Sequence, residues 1–314
     1  MPAPFPRIGI IGSGAIGTYY GARLAHAGAD VRFLMRSDFP AVRERGSVVI
    51  EDPMGTTELR PVSAFESAAE MGPVDLVIVA LKTTSGSILQ ELVGPLLEPQ
   101  TAILTLQNGL GPDEFLADLF GPSRVLGGLV FMGAMRTGPG VVKCFSRGSV
   151  SIGEYAGPPG RRALDLAGQL GAAGLVVHVV DSLMEARWKK LVWNIPFNGL
   201  SIAEGGVATD RLCGDPATAA EVRALMKEVQ QAAAGFGFKI PDGFLRSQFY
   251  KTPPMGRYQP SSLVDYLAGR EVELEPIWGE PLRRANALGI AMPRLTYLYS
   301  RLRAQCSRQP FPIR

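Results

Sequence analysis

A chain of 314 residues is longer than one ordinary hydrophobic core supports, so its length points to two domains. Its 46% apolar and 19% charged residues describe a globular protein able to bury a large core. The net charge of +3 comes from 32 basic and 29 acidic residues scattered along the chain, which gives no concentrated field for a polyanion and excludes nucleic acid as an expected partner.

The short β-branched run Arg7 to Ile11 predicts a strand ending in Gly12, and the helix-favouring stretch Ala15 to Ala27 predicts a helix that Gly28 stops. Asp30 to Met35 reads as a second strand. Val48 to Ile50 and Thr56 to Leu59, parted by Asp52-Pro53-Met54-Gly55, read as a hairpin at the side of the sheet. Asp75 to Leu81 and Thr101 to Leu106 have the continuous apolar character of strands buried on both faces. Further strands are predicted at Val125 to Phe131, Val141 to Phe145, Val150 to Gly153 and Leu175 to Val180. Strands alternating with helices imply a parallel sheet. From Leu183 onward the apolar spacing is helical, broken at Gly205-Gly206, Gly235-Phe236-Gly237, Pro253-Pro254 and Met292-Pro293. The expected division is therefore 1–181 and 182–314, an α/β domain followed by an all-helical one. In the C-terminal segment Arg283, Arg284, Arg294, Arg301, Arg303 and Arg308 alternate with Leu295, Leu298 and Leu302 at helical spacing, the pattern of a solvated helix face.

Cys144, Cys213 and Cys306 are odd in number, far apart and without C-x-x-C spacing, which speaks against a disulfide framework and a zinc cluster. His26 and His178 lie in a helical and an apolar segment and read as structural, so no metal is expected. No apolar run reaches membrane-spanning length, and the start Met-Pro-Ala-Pro-Phe-Pro lacks the blocks of a signal peptide. The expected compartment is the cytoplasm.

Gly12-Ser13-Gly14-Ala15-Ile16-Gly17 is G-x-G-x-x-G directly after a strand and opening a helix, the context that makes this motif specific for a dinucleotide in a Rossmann-type domain. Gly12 permits the tight turn, Gly14 lets the backbone approach a pyrophosphate, and Gly17 lets the helix pack on the strand, while the helix N-terminus offers N–H groups and positive dipole. About 20 residues on, an acidic residue would bind the ribose 2′-OH of NAD, whereas an Arg accommodates the 2′-phosphate of NADP. Here the second strand ends Phe33-Leu34-Met35-Arg36, and Lys82 follows the strand Asp75 to Leu81, which favours NADPH. The other reading of these residues, a solvated Arg36 with Asp38 as ribose ligand, stays open. Asn108, in Gln107-Asn108-Gly109, offers a donor and an acceptor to nicotinamide or substrate, or forms an ordinary turn before glycine.

Lys190, Asn194 and Asn198 stand at i, i+4 and i+8, one helix face, among large apolar neighbours that include Trp188, Trp193 and Phe197. Such a polar stripe is costly unless it lines a cavity or meets partners. Pro196 is expected to kink this helix. A ketone reduced by hydride needs a proton on its oxygen, and Lys190 is the candidate donor, its pKa lowered by desolvation. Ser261 either binds a substrate carboxylate or caps a helix.

These motifs together resemble the ketopantoate reductase family, with the glycine turn, Arg36, Leu81-Lys82, Asn108-Gly109, Lys190-Leu191-x-x-Asn194-x-x-x-Asn198 and Ser261 to Glu273 in the order that family has them. The resemblance implies NADPH-dependent reduction of the 2-keto group of ketopantoate to pantoate for pantothenate synthesis, with Lys190 as general acid. It implies that Asn194, Asn198 and Ser261 hold substrate, that Glu273 stands near Lys190 and the cofactor ribose, and that Ala134, in a Gly133-Ala134 turn, touches the nicotinamide. Two positions depart from the family pattern, Thr209 and Tyr258, each standing where members carry an Asn, and Thr209 is still expected among the substrate-binding residues. Both bear on substrate identity, so a paralogous reductase of another small 2-keto or 3-hydroxy acid is the second reading. The third is a protein that binds NADPH and signals without turnover. Glu271 and Glu275 compete with Glu273 for its place, and a homodimer is left open.

Overall fold

The computed structural model describes residues 3–307; Met1 and Pro2 of the N-terminal start, and Arg308 of the arginine series, lie outside them. Two compact units are present, the first comprising residues 1–107 and 112–183 and the second 108–111 and 184–314.

Among the described residues the first unit contains twelve strands: β1 (Arg7–Ile11), β2 (Asp30–Leu34), β3 (Val48–Asp52), β4 (Gly55–Leu59), β5 (Ser63–Phe65), β6 (Leu76–Val79), β7 (Ala102–Thr105), β8 (Val125–Phe131), β9 (Ala134–Gly138), β10 (Val141–Cys144), β11 (Ser149–Glu154) and β12 (Val177–Val179). Eight form one sheet in the order β12-β11-β8-β7-β6-β1-β2-β5, parallel except where β11 runs against β8. Its central strands β6 and β7 are buried at every residue, which their uninterrupted Val, Ile and Leu content requires of a sheet covered on both faces. Arg7 binds β1 to β6 at their starts: its backbone N–H and its guanidinium both donate to Asp75, at 2.8 and 2.7 Å, and that contact holds the Asp75 carboxyl below its usual pKa.

The predicted hairpin does form as β3 and β4, but it belongs to a second sheet, ordered β4-β3-β10-β9, rather than extending the first. The helix Ala15–His26 explains why. Tyr19, Tyr20, Ala22 and Leu24 are all buried, so it is apolar on more than one face and needs cover on both. Val48, Ile50, Val142 and Cys144 of the small sheet share one core cluster with Tyr19, Tyr20 and the main-sheet residues Ile8, Ile10 and Phe33. Gly21 makes the close approach possible, since a Cβ there would lie 2.4 Å from the Phe33 ring. Two strands escaped prediction. The edge strand β5 is too short to show a period, and β9 is largely exposed and ends at Gly138-Pro139-Gly140, so neither carries an apolar signal.

The second unit is helical, with Leu183–Ala203, Thr209–Gly214, Pro216–Gly235, Asp242–Tyr250, Ser261–Leu267, Glu280–Ala287 and Pro293–Cys306 as its α-helices and a π-helical turn at Glu275–Gly279. Leu183–Ala203 continues through Pro196 as one helix, and the Trp278 indole N–H donates to the carbonyl of Ile195, the residue before the proline, at 3.0 Å. The arginine-rich segment has Leu295, Leu298 and Leu302 in the core. Arg294 and Arg301 pair outward with Glu221 and Glu204, as a solvated face does.

The start of Pro293–Cys306 shows how its orphan donors are satisfied. Pro293 at the first position has no N–H to satisfy, and the next two, Arg294 and Leu295, each donate at 2.9 Å to one oxygen of the Glu228 carboxylate, which is 7% exposed. A carboxylate there also meets the positive end of the helix dipole. Replacing it leaves one buried and one partly buried donor open, so Glu228→Ala is expected to destabilise the helical unit by about 1–3 kcal/mol. Trp188, Trp193 and Trp278 all lie in this unit, so tryptophan fluorescence during urea unfolding reads the loss directly.

Candidate active site

The glycine turn lies between β1 and the helix Ala15–His26. Gly12 has φ of +103° and a Cβ on it would sit 2.5 Å from the Leu81 backbone nitrogen, so only glycine permits the turn to rest on the end of β6. A Cβ on Gly17 would lie 2.1 Å from the Gly12 carbonyl oxygen, so this residue lets the helix reach the strand. Gly14 is the opposite case: a Cβ there would meet nothing within 4 Å. It caps the helix without a side chain, leaving the first-turn N–H groups of Ala15, Ile16 and Gly17 open to an anion. This cradle, closed toward the protein at Gly12 and Gly17 and open at Gly14, fits a dinucleotide pyrophosphate. The Ser13 hydroxyl donates to the Leu34 carbonyl at 2.7 Å and ties the turn to the end of β2, where Arg36 follows.

Arg36 is exposed, and its side chain makes no hydrogen bond or ion pair among the described residues. Lys82 is half-buried just past β6, the neighbour of β1 in the sheet. Asp38 was the rival ribose ligand, and its geometry decides against that reading. Its side chain is 7% exposed and receives the Gly140 N–H at 2.9 Å and the Arg136 guanidinium at 2.5 Å. A carboxylate engaged this way is not presented to a ribose. Ala134 is half-buried and is not in a turn, being the first residue of β9, opposite Cys144.

In the helical unit the stripe on Leu183–Ala203 meets partners from distant segments. The Lys190 ammonium donates to the Asn108 Oδ1 at 2.8 Å. Loss of hydration, then the Arg187 charge one turn earlier, push the Lys190 pKa down to about 7, against the opposing pull of Glu273. The adjacent Lys189 shows the contrast, pairing with Glu185 at 2.7 Å on the outer face of the helix. Of the three competing glutamates, Glu273 is the one whose charge acts on Lys190; Glu275 accepts the Tyr299 hydroxyl, and Glu271 is exposed. Asn108 is held by its own turn. Gly109 has φ of +84° with no room for a Cβ, which would lie 2.2 Å from the Pro276 oxygen, and Leu110 donates its N–H to that same oxygen at 2.8 Å.

Asn194 is buried, 9% exposed, and its amide makes no hydrogen bond among the described residues. Asn198 has its oxygen engaged, accepting the Ser262 N–H at 3.0 Å, so it supplies the cap that the helix Ser261–Leu267 lacks locally. Its amide N–H groups remain available to donate. Ser261 is the first helical residue, exposed, and its hydroxyl does not cap the helix. Thr209 is fully buried. Its hydroxyl lies 3.2 Å from the carbonyl oxygens of Gly256 and Tyr258, so Thr209, expected to bind substrate, instead spends its hydroxyl bracing the 256–258 turn. Tyr258 packs on Trp193 with ring centroids 6.1 Å apart, and burial raises its pKa. Arg187, buried at 2% exposure, was not singled out in the sequence; its i, i+3 spacing to Lys190 was the available signal.

Comparison with known proteins finds matches over most of the chain. The family described as Ketopantoate reductase PanE/ApbA matches residues 8–157, and its C-terminal counterpart matches residues 182–305. A 2-dehydropantoate 2-reductase of Nostoc is 38% identical over 299 residues, covering 94% of this chain and 93% of its own. The crystal structure of the 2-dehydropantoate 2-reductase from Geobacter metallireducens superposes with a TM-score of 0.92 at 40% identity, covering 95% of this chain and 99% of that one. That from Methylococcus capsulatus gives 0.89 at 32% identity over 98% and 99%. With both units matched, and relatives at this identity over nearly their full length, the chain belongs to the ketopantoate reductase family.

Proposed function

We propose that this protein reduces ketopantoate to pantoate with NADPH as hydride donor, in the cytoplasm, and that Lys190 delivers the proton. The observation that carries the reading is the Lys190 ammonium, drawn out of water among large apolar neighbours and directed onto Asn108 at 2.8 Å. A proteinaceous NADPH sensor would have no use for a lysine held in this costly state.

The glycine turn and the open N–H groups of Ala15, Ile16 and Gly17 would hold the pyrophosphate, with Ser13 anchoring the turn. The family resemblance supports Arg36 and Lys82 as the residues that would bind the 2′-phosphate, Ala134 and Asn108 as those that would meet the nicotinamide, and Glu273 as the one that would meet its ribose. The reduced nicotinamide, when bound, supplies the hydride. Lys190 stabilises the negative charge that develops on the keto oxygen and transfers a proton from its Nζ to that oxygen. A pKa near 7 keeps an acid form populated at neutral pH while making its proton easy to release. Asn108 fixes the direction of the Nζ, and Glu273 keeps the site from losing the ammonium altogether by favouring its charged form. Asn194 and the donor end of Asn198 bind substrate oxygens, with Ser261 at its carboxylate, while Thr209 acts through the turn that carries Tyr258. The three cysteines are free thiols, in keeping with a reducing compartment. No helix among the described residues is long and apolar enough to cross a membrane.

Addition of ketopantoate is expected to drive oxidation of NADPH, measured at 340 nm. Turnover of other 2-keto acids without ketopantoate would retain the chemistry and remove the substrate, an outcome that the Tyr258 and Thr209 positions make worth screening. Lys190→Ala is expected to lower kcat by roughly 10²–10⁴-fold, with a smaller change in KM, because the proton is transferred in the transition state. The acid form of Lys190 is required, so kcat/KM for reduction is expected to fall as pH rises through about 7. Lys190→Ala should lose that alkaline limb, whereas a limb that persists would assign it to another group.

A further inference from the structure

The loop ending β2 places an acidic residue, Asp38, two positions beyond Arg36. A free carboxylate there would oppose a phosphate dianion and partly cancel Arg36. The structure removes that charge from play through β9 and the turn that follows it. Gly140 donates its N–H to one Asp38 oxygen at 2.9 Å, and Arg136 donates from Nη1 to the other at 2.5 Å. The same Nη1 lies 3.3 Å from the hydroxyl of Ser37, the residue between Arg36 and Asp38. Ser37 in turn donates to Asp38 at 3.1 Å. The Arg136 side chain nevertheless remains 48% exposed. A guanidinium carries five N–H donors, and these contacts use Nη1 alone; Nε and Nη2 have no partner among the described residues.

We infer that Arg136 is a specificity-determining residue for the cofactor: it neutralises Asp38 and adds a second guanidinium, beside Arg36, for the 2′-phosphate of NADPH. The inference rests on the NADPH reading above and extends it to a strand that the glycine motif does not include. Arg36, Asp38 and Arg136 together leave one net positive charge at this corner, whereas without Arg136 they leave none. NADH lacks the 2′-phosphate and gains little from either arginine.

The test measures dissociation constants of NADPH and NADH by calorimetry, for the full chain and for Arg136→Met, without substrate. Arg136→Met is expected to weaken NADPH about tenfold or more, the loss of a charged hydrogen bond, and to change NADH by less than about twofold. Arg136→Lys, which keeps the charge and loses the fork, should fall between the two and guards against a folding defect in the Met variant. Equal weakening of both cofactors would show that Arg136 only braces the loop, and unchanged NADPH affinity would show that it does not reach the phosphate; either overturns the inference while leaving the NADPH preference in place. A native chain that binds NADH as tightly as NADPH would instead overturn the preference itself, and the role of Arg136 with it.

Discussion

An ammonium taken out of water has to meet an acceptor, and at Lys190 residues from distant segments of the chain meet that demand. The acceptor is Asn108, which precedes Lys190 by 82 residues. Asn108 is presented by a turn that works only because Gly109 can hold a positive φ against Pro276. Pro276 lies within the π-helical turn that begins two residues after Glu273, the carboxylate whose charge favours the protonated lysine. Three chain segments thus converge on one nitrogen. The balance of their effects decides its chemistry: desolvation and Arg187 outweigh Glu273, and the lysine is brought into the range where it can both hold and release a proton near neutrality.

The sheet unit meets a different constraint, which is close backbone approach. Gly12 rests on Leu81, Gly17 on the Gly12 carbonyl, and Gly21 on Phe33, so that the helix lies hard against the sheet with its free N–H groups at the open side of Gly14. A helix buried on several faces needs cover from above as well, and the small sheet supplies it. That sheet also carries Arg136 and Gly140, which engage Asp38. Packing that stabilises the dinucleotide helix therefore also shapes the electrostatics at the end of β2.

Much of the fold was legible because its signals are local. The strands β1, β6, β7 and β8 are continuous apolar runs, and the glycine spacing states which backbone positions are crowded. The helical unit announces itself by its period. The strands that escaped, β5 and β9, are short or exposed and bury too little to leave a pattern. The hairpin β3-β4 was visible, but its allegiance to a second sheet was not, since that depends on pairing with β10 some 90 residues later. Among the site residues, the Lys190 stripe was conspicuous as polar groups on an apolar helix. What each group touches was not: Asn198 spends its oxygen on Ser262, and Thr209 its hydroxyl on a turn.

By itself, then, the sequence determined that a dinucleotide turn opens the chain, that a helical unit follows, and that Lys190 is a polar residue in need of a reason. Periodicity, turn chemistry and glycine spacing act over a few residues and can be read in order. Only the tertiary structure decided that Asp38 is turned into the protein, that Asn108 receives the lysine, and that Glu273 rather than Glu275 lies within its electrostatic reach. Hydrogen bonds and charge effects depend on distance in space, and the partners concerned are separated by about 80 to 100 residues of chain.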